Sequence, residues 1–264
     1  GFSSFVHEAN RRRLLDALPT NCVSSEERAA LFTLLSMLGR HQLPELIRFG
    51  SDLKVAHLRQ VVADVVVQLV GSDEEALMTL LVTGEEEEAV IPLLALGRIN
   101  APSCVEECLR RMGDPNPMVR EASLRAMRGQ QSPRIRQEVL RCLKDDEPSI
   151  RIEALRYLSV YRDRVDLAML EQVLLSPRVA TFELSEVKAW IVAYGIIGRT
   201  GALKLLRSVL EGKVELALPL QQIQGSCLQG LLSINNVEAQ ATLDLLGRKD
   251  PKVKQQILKM KAKR

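Results

Sequence analysis

The sequence predicts an all-α fold in which helical hairpins stack side by side as a solenoid. The first observation is an internal repeat: "DPNPMVREASLRAM" begins at Asp114, and "DDEPSIRIEALRYL" begins 31 residues later, at Asp145. Self-similarity over such a period is typical of repeat proteins whose hairpins bury their apolar faces against one another. The second observation is composition, because 46% of the 264 residues are hydrophobic but only 3% are aromatic. Strand-rich folds usually use more aromatic residues.

Signals for helix starts recur along the chain. A Ser followed three residues later by Glu fits the capping box, in which the hydroxyl and the carboxylate satisfy open amide donors. Such boxes are predicted at Ser24–Glu27, Ser72–Glu75 and Ser103–Glu106. Proline is best tolerated at the first helical position, where its missing N–H costs nothing. Further helices are therefore predicted to start at Pro117, Pro133, Pro148 and Pro251.

Start signals and apolar spacing together predict a regular succession of helices with short connections. The predicted helices cover 4–18, 24–40, 52–70, 73–83, 85–99, 103–112, 116–128, 132–144, 147–161, 166–176, 185–199, 201–211, 217–233, 236–247 and 250–263. One hairpin recurs every 31 to 38 residues. Near helix ends, a Gly between Leu or Ile and Arg is predicted to adopt a left-handed turn. This pattern occurs at Gly39, Gly97, Gly198 and Gly247.

The whole chain is predicted to form a single repeat domain over residues 1–264. Within it we expect divergent hairpins over 1–84, the clearest repeats over 85–176, divergent repeats over 177–249 and a basic C-terminal helix over 250–264.

No membrane span is expected. The longest apolar runs, Val61–Val70 and Ile191–Gly198, are far shorter than the roughly 20 residues that a membrane-spanning helix needs. The first residues lack the long hydrophobic centre of a signal peptide. A cytoplasmic location is therefore the expectation.

The repeated stretch resembles the HEAT-repeat superfamily, whose repeat reads roughly D-x-x-P-x-V-R-x-x-A-x-x-A-L around the turn between its two helices. The matching residues are Asp114, Pro117, Val119, Arg120, Leu124 and Met127 in the first copy, and Asp145, Pro148, Ile150, Arg151, Leu155 and Leu158 in the second. Weaker copies at Val187-Lys188 and over 250–254 have Lys for Arg, whereas the region around Asp52 and Val55 keeps the spacing but lacks the Arg. The resemblance implies a right-handed superhelix with a concave side that binds extended partners.

The resemblance also implies a structural ladder, in which Asp114 pairs with Arg120 and Asp145 pairs with Arg151. A guanidinium offers several fixed donors and can bridge a carboxylate and neighbouring turn carbonyls where repeats meet. We therefore expect these residues to stabilise the stack rather than to contact a ligand.

Five basic residues on helices after such turns are the candidates for partner binding. Arg125 and Arg156 repeat in register, and the resemblance places the helices that carry them on the concave side. Together with Arg128, Arg162 and Lys188, they would select an acidic helix or extended segment of another protein. A solvated charged face without a ligand is the alternative interpretation.

Charge is unevenly distributed along the chain. Residues 71–108 contain nine acidic residues and one Arg, whereas 248–264 contain eight basic residues and one acidic residue. The candidate basic tail consists of Lys252, Lys254, Lys259, Lys261, Lys263 and Arg264. It could attract an acidic protein, nucleic acid or lipid headgroups, or it could only cap the stack, because cations at a helix C-terminus suit the helix dipole.

Catalysis, a cofactor and a bound metal are not expected. The chain has only three His residues and none of the common phosphate-binding, metalloprotease or serine-hydrolase motifs. Cys104 and Cys108 would share a helix face, but no His or further Cys close in sequence completes a tetrahedral metal site. HEAT-like DNA glycosylases remain an enzymatic alternative, because aromatic residues could supply a sparse version of their groove. These residues are Tyr157, Tyr161, Trp190 and Tyr194.

The function predicted from the sequence is that of a non-enzymatic scaffold or adaptor, which binds a segment of another protein in its concave groove. The alternative is a nucleic-acid-binding protein that uses the basic groove and the basic C-terminal helix. Shortage of aromatic residues for base stacking argues against this alternative.

Overall fold

A computed structural model describes residues 24–85, 88–161 and 167–262. These residues form α-helices, short 3-10 turns and loops, and none of them lies in a β-strand. The predicted all-α class is therefore confirmed. The chain divides into two compact units, Gly1–Glu138 (unit 1) and Val139–Arg264 (unit 2), and each is described by itself. The single domain and the right-handed superhelix stay predictions.

Unit 1 is built from hairpins of consecutive helices. The helices are α1 (Ser25–Leu35), α2 (Leu43–Asp52), α3 (Ala56–Val70), α4 (Glu74–Thr83), α5 (Val90–Arg98), α6 (Val105–Arg111), α7 (Pro117–Ala126) and α8 (Pro133–Cys142), the last of which continues into unit 2. The odd-numbered helices α1, α3, α5 and α7 contact one another in sequence order and form one layer. Helices α2, α4 and α6 pack behind α3, α5 and α7, respectively.

Unit 2 repeats the same arrangement. Its helices are α9 (Pro148–Tyr161), α10 (Leu167–Leu175), α11 (Leu184–Gly198), α12 (Leu203–Leu210), α13 (Leu220–Ile234), α14 (Val237–Lys249) and α15 (Pro251–Ala262). Helices α9, α11 and α13 form the layer, α10 packs behind α11, α12 packs behind α13, and α14 packs against α13 and α15. In each unit, we call the side of the odd-numbered layer that faces away from the even-numbered helices the open face.

One helix was missed by the sequence prediction. The predicted helix 24–40 ends at Leu35, and a new helix, α2, begins at Leu43 after the 3-10 turn Arg40–Gln42. Helix α2 buries Leu46, Ile47 and Phe49, so tertiary packing stabilises a segment that has no capping residue. The predicted helix 4–18 lies outside the described residues.

Of the three predicted capping boxes, only the first is confirmed. The Ser24 hydroxyl accepts from the Glu27 amide at 3.2 Å, and the Glu27 carboxylate accepts from the Ser24 amide at 2.6 Å. The second box is wrong, because Asp73 is the N-cap and accepts from the Ala76 amide at 3.1 Å. The third is wrong as well, because the chain enters α6 through the 3-10 turn Pro102–Cys104.

The predicted proline starts are confirmed, since α7, α8, α9 and α15 all begin at the proline. The predicted left-handed glycines are wrong. Among described residues, the glycines with positive φ are Gly71 and Gly212, not those of the Gly-Arg pairs. Gly97 instead permits close packing, because a Cβ there would lie 2.6 Å from the Ala126 Cα. A Cβ at Gly195 in α11 would clash with the Gly230 backbone in α13 in the same way.

The stretch Leu184–Leu210, which includes α11 and α12, is long and apolar enough to cross a membrane by length and composition. Within its most apolar window, 56% is buried in the fold. A single such stretch is weak evidence, because core helices of globular units pass the same test.

Candidate interaction surfaces

Three arginines occupy the same position in three different hairpins. Arg59, Arg120 and Arg151 are each the fourth residue of an odd-numbered helix. In each case Nη1 donates to the backbone carbonyls six and five residues earlier. The distances are 2.8 and 3.1 Å for Arg59, 2.8 and 3.2 Å for Arg120, and 2.5 and 2.8 Å for Arg151. Each guanidinium therefore holds the turn that precedes its own helix.

Arg151 also ties α9 to α11. Its Nε and Nη2 donate to the two carboxylate oxygens of Glu186 at 2.6 and 2.7 Å, and the Glu186 residue is 0% exposed. The Trp190 indole donates to the same carboxylate at 3.3 Å, and the Phe182 ring lies 5.1 Å from the Arg151 guanidinium carbon. Hydrogen bonding to Glu186 raises the pKa of Arg151 above its usual value. The bidentate, buried geometry makes this contact a fixed link between two helices of the layer.

Arg59 was missed by the sequence analysis. Its Nη2 lies 3.5 Å from the Glu121 carboxylate on α7, and burial lowers the pKa of Arg59. The apolar–basic pair Leu58-Arg59 was a visible signal, but Leu53 stands where the other copies have Asp.

The aspartate carboxylates of the predicted ladder accept hydrogen bonds from backbone amides. The Asp114 carboxylate accepts from the Asn116 amide at 2.8 Å, and the Asp145 carboxylate accepts from the Glu147 amide at 2.9 Å. Arg120 and Arg151 bind the backbone carbonyls of the same two aspartates. The ladder itself stays a prediction.

The open face of unit 1 carries charges that are paired within the unit. Arg125 is 20% exposed at its side chain and lies 2.7 Å from the Glu121 carboxylate. Arg98 binds Asp64 through both carboxylate oxygens, with one distance of 2.9 Å. Arg128 is half-buried. Two of the predicted partner-binding residues, Arg125 and Arg128, are thus only partly accessible.

The open face of unit 2 carries apolar side chains beside its cations. On α9 the least buried positions are spaced three to four residues apart and include Ile152, Arg156 and Val160. The Arg156 side chain is 56% exposed and Val160 is 60% exposed. Arg156 lies 3.2 Å from the carboxylate of Glu153, which is itself only 1% exposed.

The neighbouring helix α11 continues this surface. Its half-buried positions Lys188, Ala189, Val192 and Ile196 fall on one helix face. Since α11 lies between α9 and α13 with α10 behind it, this face is the open one. Arg162 lies outside the described residues.

The last hairpin, α14 and α15, is basic on its exposed surface. The exposed basic residues are Arg248, Lys249, Lys252, Lys254, Lys259 and Lys261. Asp250 is half-buried and its carboxylate accepts from the Lys252 amide at 2.8 Å. Lys263 and Arg264 lie outside the described residues.

Most of the candidate aromatic residues and both candidate cysteines are buried. Tyr157, Trp190 and Tyr194 are at most 2% exposed, so they cannot stack on a nucleic-acid base at the surface. Cys104 and Cys108 are both 0% exposed. Within the described ranges, no group of three or more His, Cys, Asp or Glu residues is placed to hold a metal ion.

Comparison with known proteins agrees with this geometry. A family model described as HEAT repeats matches residues 105–183, a segment that includes the turns of Arg120 and Arg151. A search of curated proteins with the whole sequence finds no match. HEAT repeats generally mediate protein–protein interactions. Over residues 105–183, this chain is therefore similar to HEAT repeats.

Proposed function

We propose that this protein is a non-enzymatic scaffold that binds a segment of another protein on the open face of unit 2. The observation that supports this most is the pairing of an exposed apolar side chain, Val160, with a mostly exposed cation, Arg156, one turn away. Burial of apolar side chains supplies most of the affinity of a protein interface, and charges around them select the partner. A cytoplasmic location is part of the proposal.

The partner segment is amphipathic and acidic. Its apolar side chains would cover Val160, Val192 and Ile196, and its carboxylates would meet Arg156 and Lys188. Unit 1 is the weaker candidate because the Arg125 side chain, beside Glu121, is only 20% exposed, whereas the Arg156 side chain is 56% exposed.

Affinity capture of partners from the native cells tests this proposal. The variant Arg156→Glu, Lys188→Glu reverses both cations of the surface, and we expect it to lose the partners that the wild type retains. Lys144→Glu, Lys204→Glu is the matched control, because it makes the same charge change at exposed residues of unit 2 away from the open face. Equal recovery with both double variants would contradict the proposal.

Binding to nucleic acid is a second candidate, which the exposed cations of α14 and α15 favour. Phosphate contacts release counterions, so such binding weakens steeply as salt rises, whereas a protein contact with an apolar core weakens little. A salt titration of DNA and RNA binding separates the two candidates. Tight binding of non-specific DNA at physiological salt would favour the polyanion function over the scaffold.

A further inference from the structure

The turn before α13 differs from the turns that arginine holds. Helix α13 begins at Leu220, and its fourth residue is Ile223, which is 1% exposed. Arg59, Arg120 and Arg151 occupy this position in α3, α7 and α9. The turn before α13, residues 211–219, thus has no guanidinium of its own at the equivalent place.

A cavity of about 470 Å³ lies at this turn. Ile223 lines it, and so do Ala217 and Leu218, the residues six and five positions earlier, whose counterparts in the other three turns accept from arginine. Within the described part of the chain, no hydrogen bond is recorded to the carbonyls of Ala217 and Leu218. The cavity therefore lies beside the turn residues whose counterparts bind an arginine in the other three hairpins.

The chemistry of the lining fits a cation on an aliphatic stem. Val209, Leu216 and Ile223 provide aliphatic walls, and the exposed Glu215 provides a carboxylate, whereas no Lys or Arg lines the cavity. Arginine combines a methylene stem, which packs on apolar walls, with a planar fork of donors for carbonyl and carboxylate oxygens.

Two cations near the turn share a carboxylate of their own. Glu211 binds Arg207 at 2.8 Å and Lys213 at 2.5 Å, at the end of α12 where the turn begins. A backbone hydrogen bond holds the first residues of the turn, because the Lys213 amide donates to the Ser208 carbonyl at 2.8 Å.

We propose that the cavity at residues 209–223 is a docking site for an arginine side chain of a partner protein. The partner's guanidinium takes the role that Arg151 has in its own turn: it donates to turn carbonyls and to Glu215, while its stem packs on Val209 and Ile223. This inference rests on the proposed scaffold function only in that the arginine comes from a partner protein. The site is separate from the cations of the open face, and it selects a basic residue rather than an acidic one.

The test titrates the full chain with N-acetyl-arginine amide as the probe. Amide chemical shifts in NMR spectra report the binding. We expect saturable shifts confined to residues around the turn, with a dissociation constant on the order of millimolar for an isolated side chain. N-acetyl-lysine amide should bind more weakly, because it lacks the planar fork. Absence of saturable shifts at the turn would overturn the inference.

Three variants, one of them a control, test the assignment further. Glu215→Gln removes the carboxylate without filling the cavity and should weaken probe binding about tenfold, as expected for loss of one charge-assisted hydrogen bond. Glu75→Gln, an exposed acid in unit 1, is the matched control and should leave binding unchanged. Ile223→Arg supplies the missing guanidinium from within the chain and should abolish probe binding; if that variant does not fold, the Glu215→Gln comparison still decides. Equal affinities of Glu215→Gln and wild type would contradict the assignment.

Probe binding at the turn should not depend on the cations of the open face. Arg156→Glu, Lys188→Glu should bind the probe as the wild type does, so loss of captured partners in that variant and loss of probe binding in Glu215→Gln report on two different sites.

Discussion

The turn before α9 and the turn before α13 occupy equivalent places in the repeat but are stabilised differently. In the first, Arg151 fills the turn, binds its carbonyls and reaches a buried carboxylate on the next helix of the layer. In the second, Ile223 occupies the same helical position, and a cavity remains beside it. The comparison teaches that the repeat needs a stable turn but does not need the arginine to provide it: where the second turn begins, the Lys213 amide donates to the Ser208 carbonyl, and Glu211 binds two cations.

The largest effect on stability is expected from loss of the Arg151 contacts. Arg151→Met removes the guanidinium and leaves Glu186 buried without its cation, so we expect the free energy of unfolding to fall by about 3–5 kcal/mol. Chemical denaturation with far-UV circular dichroism measures it.

A double variant distinguishes the contribution of the ion pair to stability from that of side-chain packing. Arg151→Met combined with Glu186→Leu removes both charges, and much of the lost stability should return because no buried charge remains unpaired. A double variant as unstable as Arg151→Met alone would show that the turn carbonyls, not Glu186, set the cost.

The next largest effect concerns the close contact that positions α13 without an arginine. Gly195→Ala places a methyl group against the Gly230 backbone, and overpacking of this kind costs about 1–3 kcal/mol. Gly225→Ala on the same helix as Gly230 is the control, because its Cβ would lie 3.7 Å from the Met260 Cε, an ordinary contact. Thermal unfolding should shift down for the first variant and stay or rise slightly for the second.

A smaller effect is expected at the other motif arginine. Arg120→Ala removes two hydrogen bonds to turn carbonyls of a partly exposed side chain, so we expect a loss of about 1 kcal/mol. The same denaturation experiment checks it. A loss equal to that of Arg151→Met would contradict this ranking.

The smallest effect is a pH dependence of the turn before α13. Hydrogen bonds from Arg207 and Lys213 lower the pKa of Glu211 from 4.5 to about 2. A carboxylate with a lowered folded pKa contributes stability above its unfolded pKa, and that contribution is lost as pH falls from 4.5 towards 2. NMR titration of the Glu211 carboxyl should show the low midpoint, and Arg207→Ala should move it upward.

Much of the fold could be predicted from local residues. Pro117 and Pro148 mark helix starts because a missing N–H is harmless there, and the two 31-residue copies revealed the hairpin period. Helix α2 was missed although Pro44 lies in its first turn, because no capping side chain marks its start and its stability comes from the burial of Leu46, Ile47 and Phe49. The glycines of the Gly-Arg pairs were assigned to turns, but Gly97 serves helix packing that depends on a distant residue, Ala126.

The candidate sites depended on the tertiary structure to a greater degree. Arg125 and Arg156 look equivalent in the sequence, yet Arg125 is 20% exposed beside Glu121 and Arg156 is 56% exposed over an apolar surface. Nothing in the local sequence around Ile223 predicts a cavity, because the cavity arises from the path of a turn.

The sequence by itself determined the all-α class, the hairpin period and the arginines of two turns, because propensity, capping and periodicity act within a few residues of one another. Only the tertiary structure decided that Arg59 is a third such arginine, that Arg151 pairs with Glu186, and that the turn before α13 holds a cavity. These features depend on which distant groups come within a few ångströms, and packing between helices sets those distances.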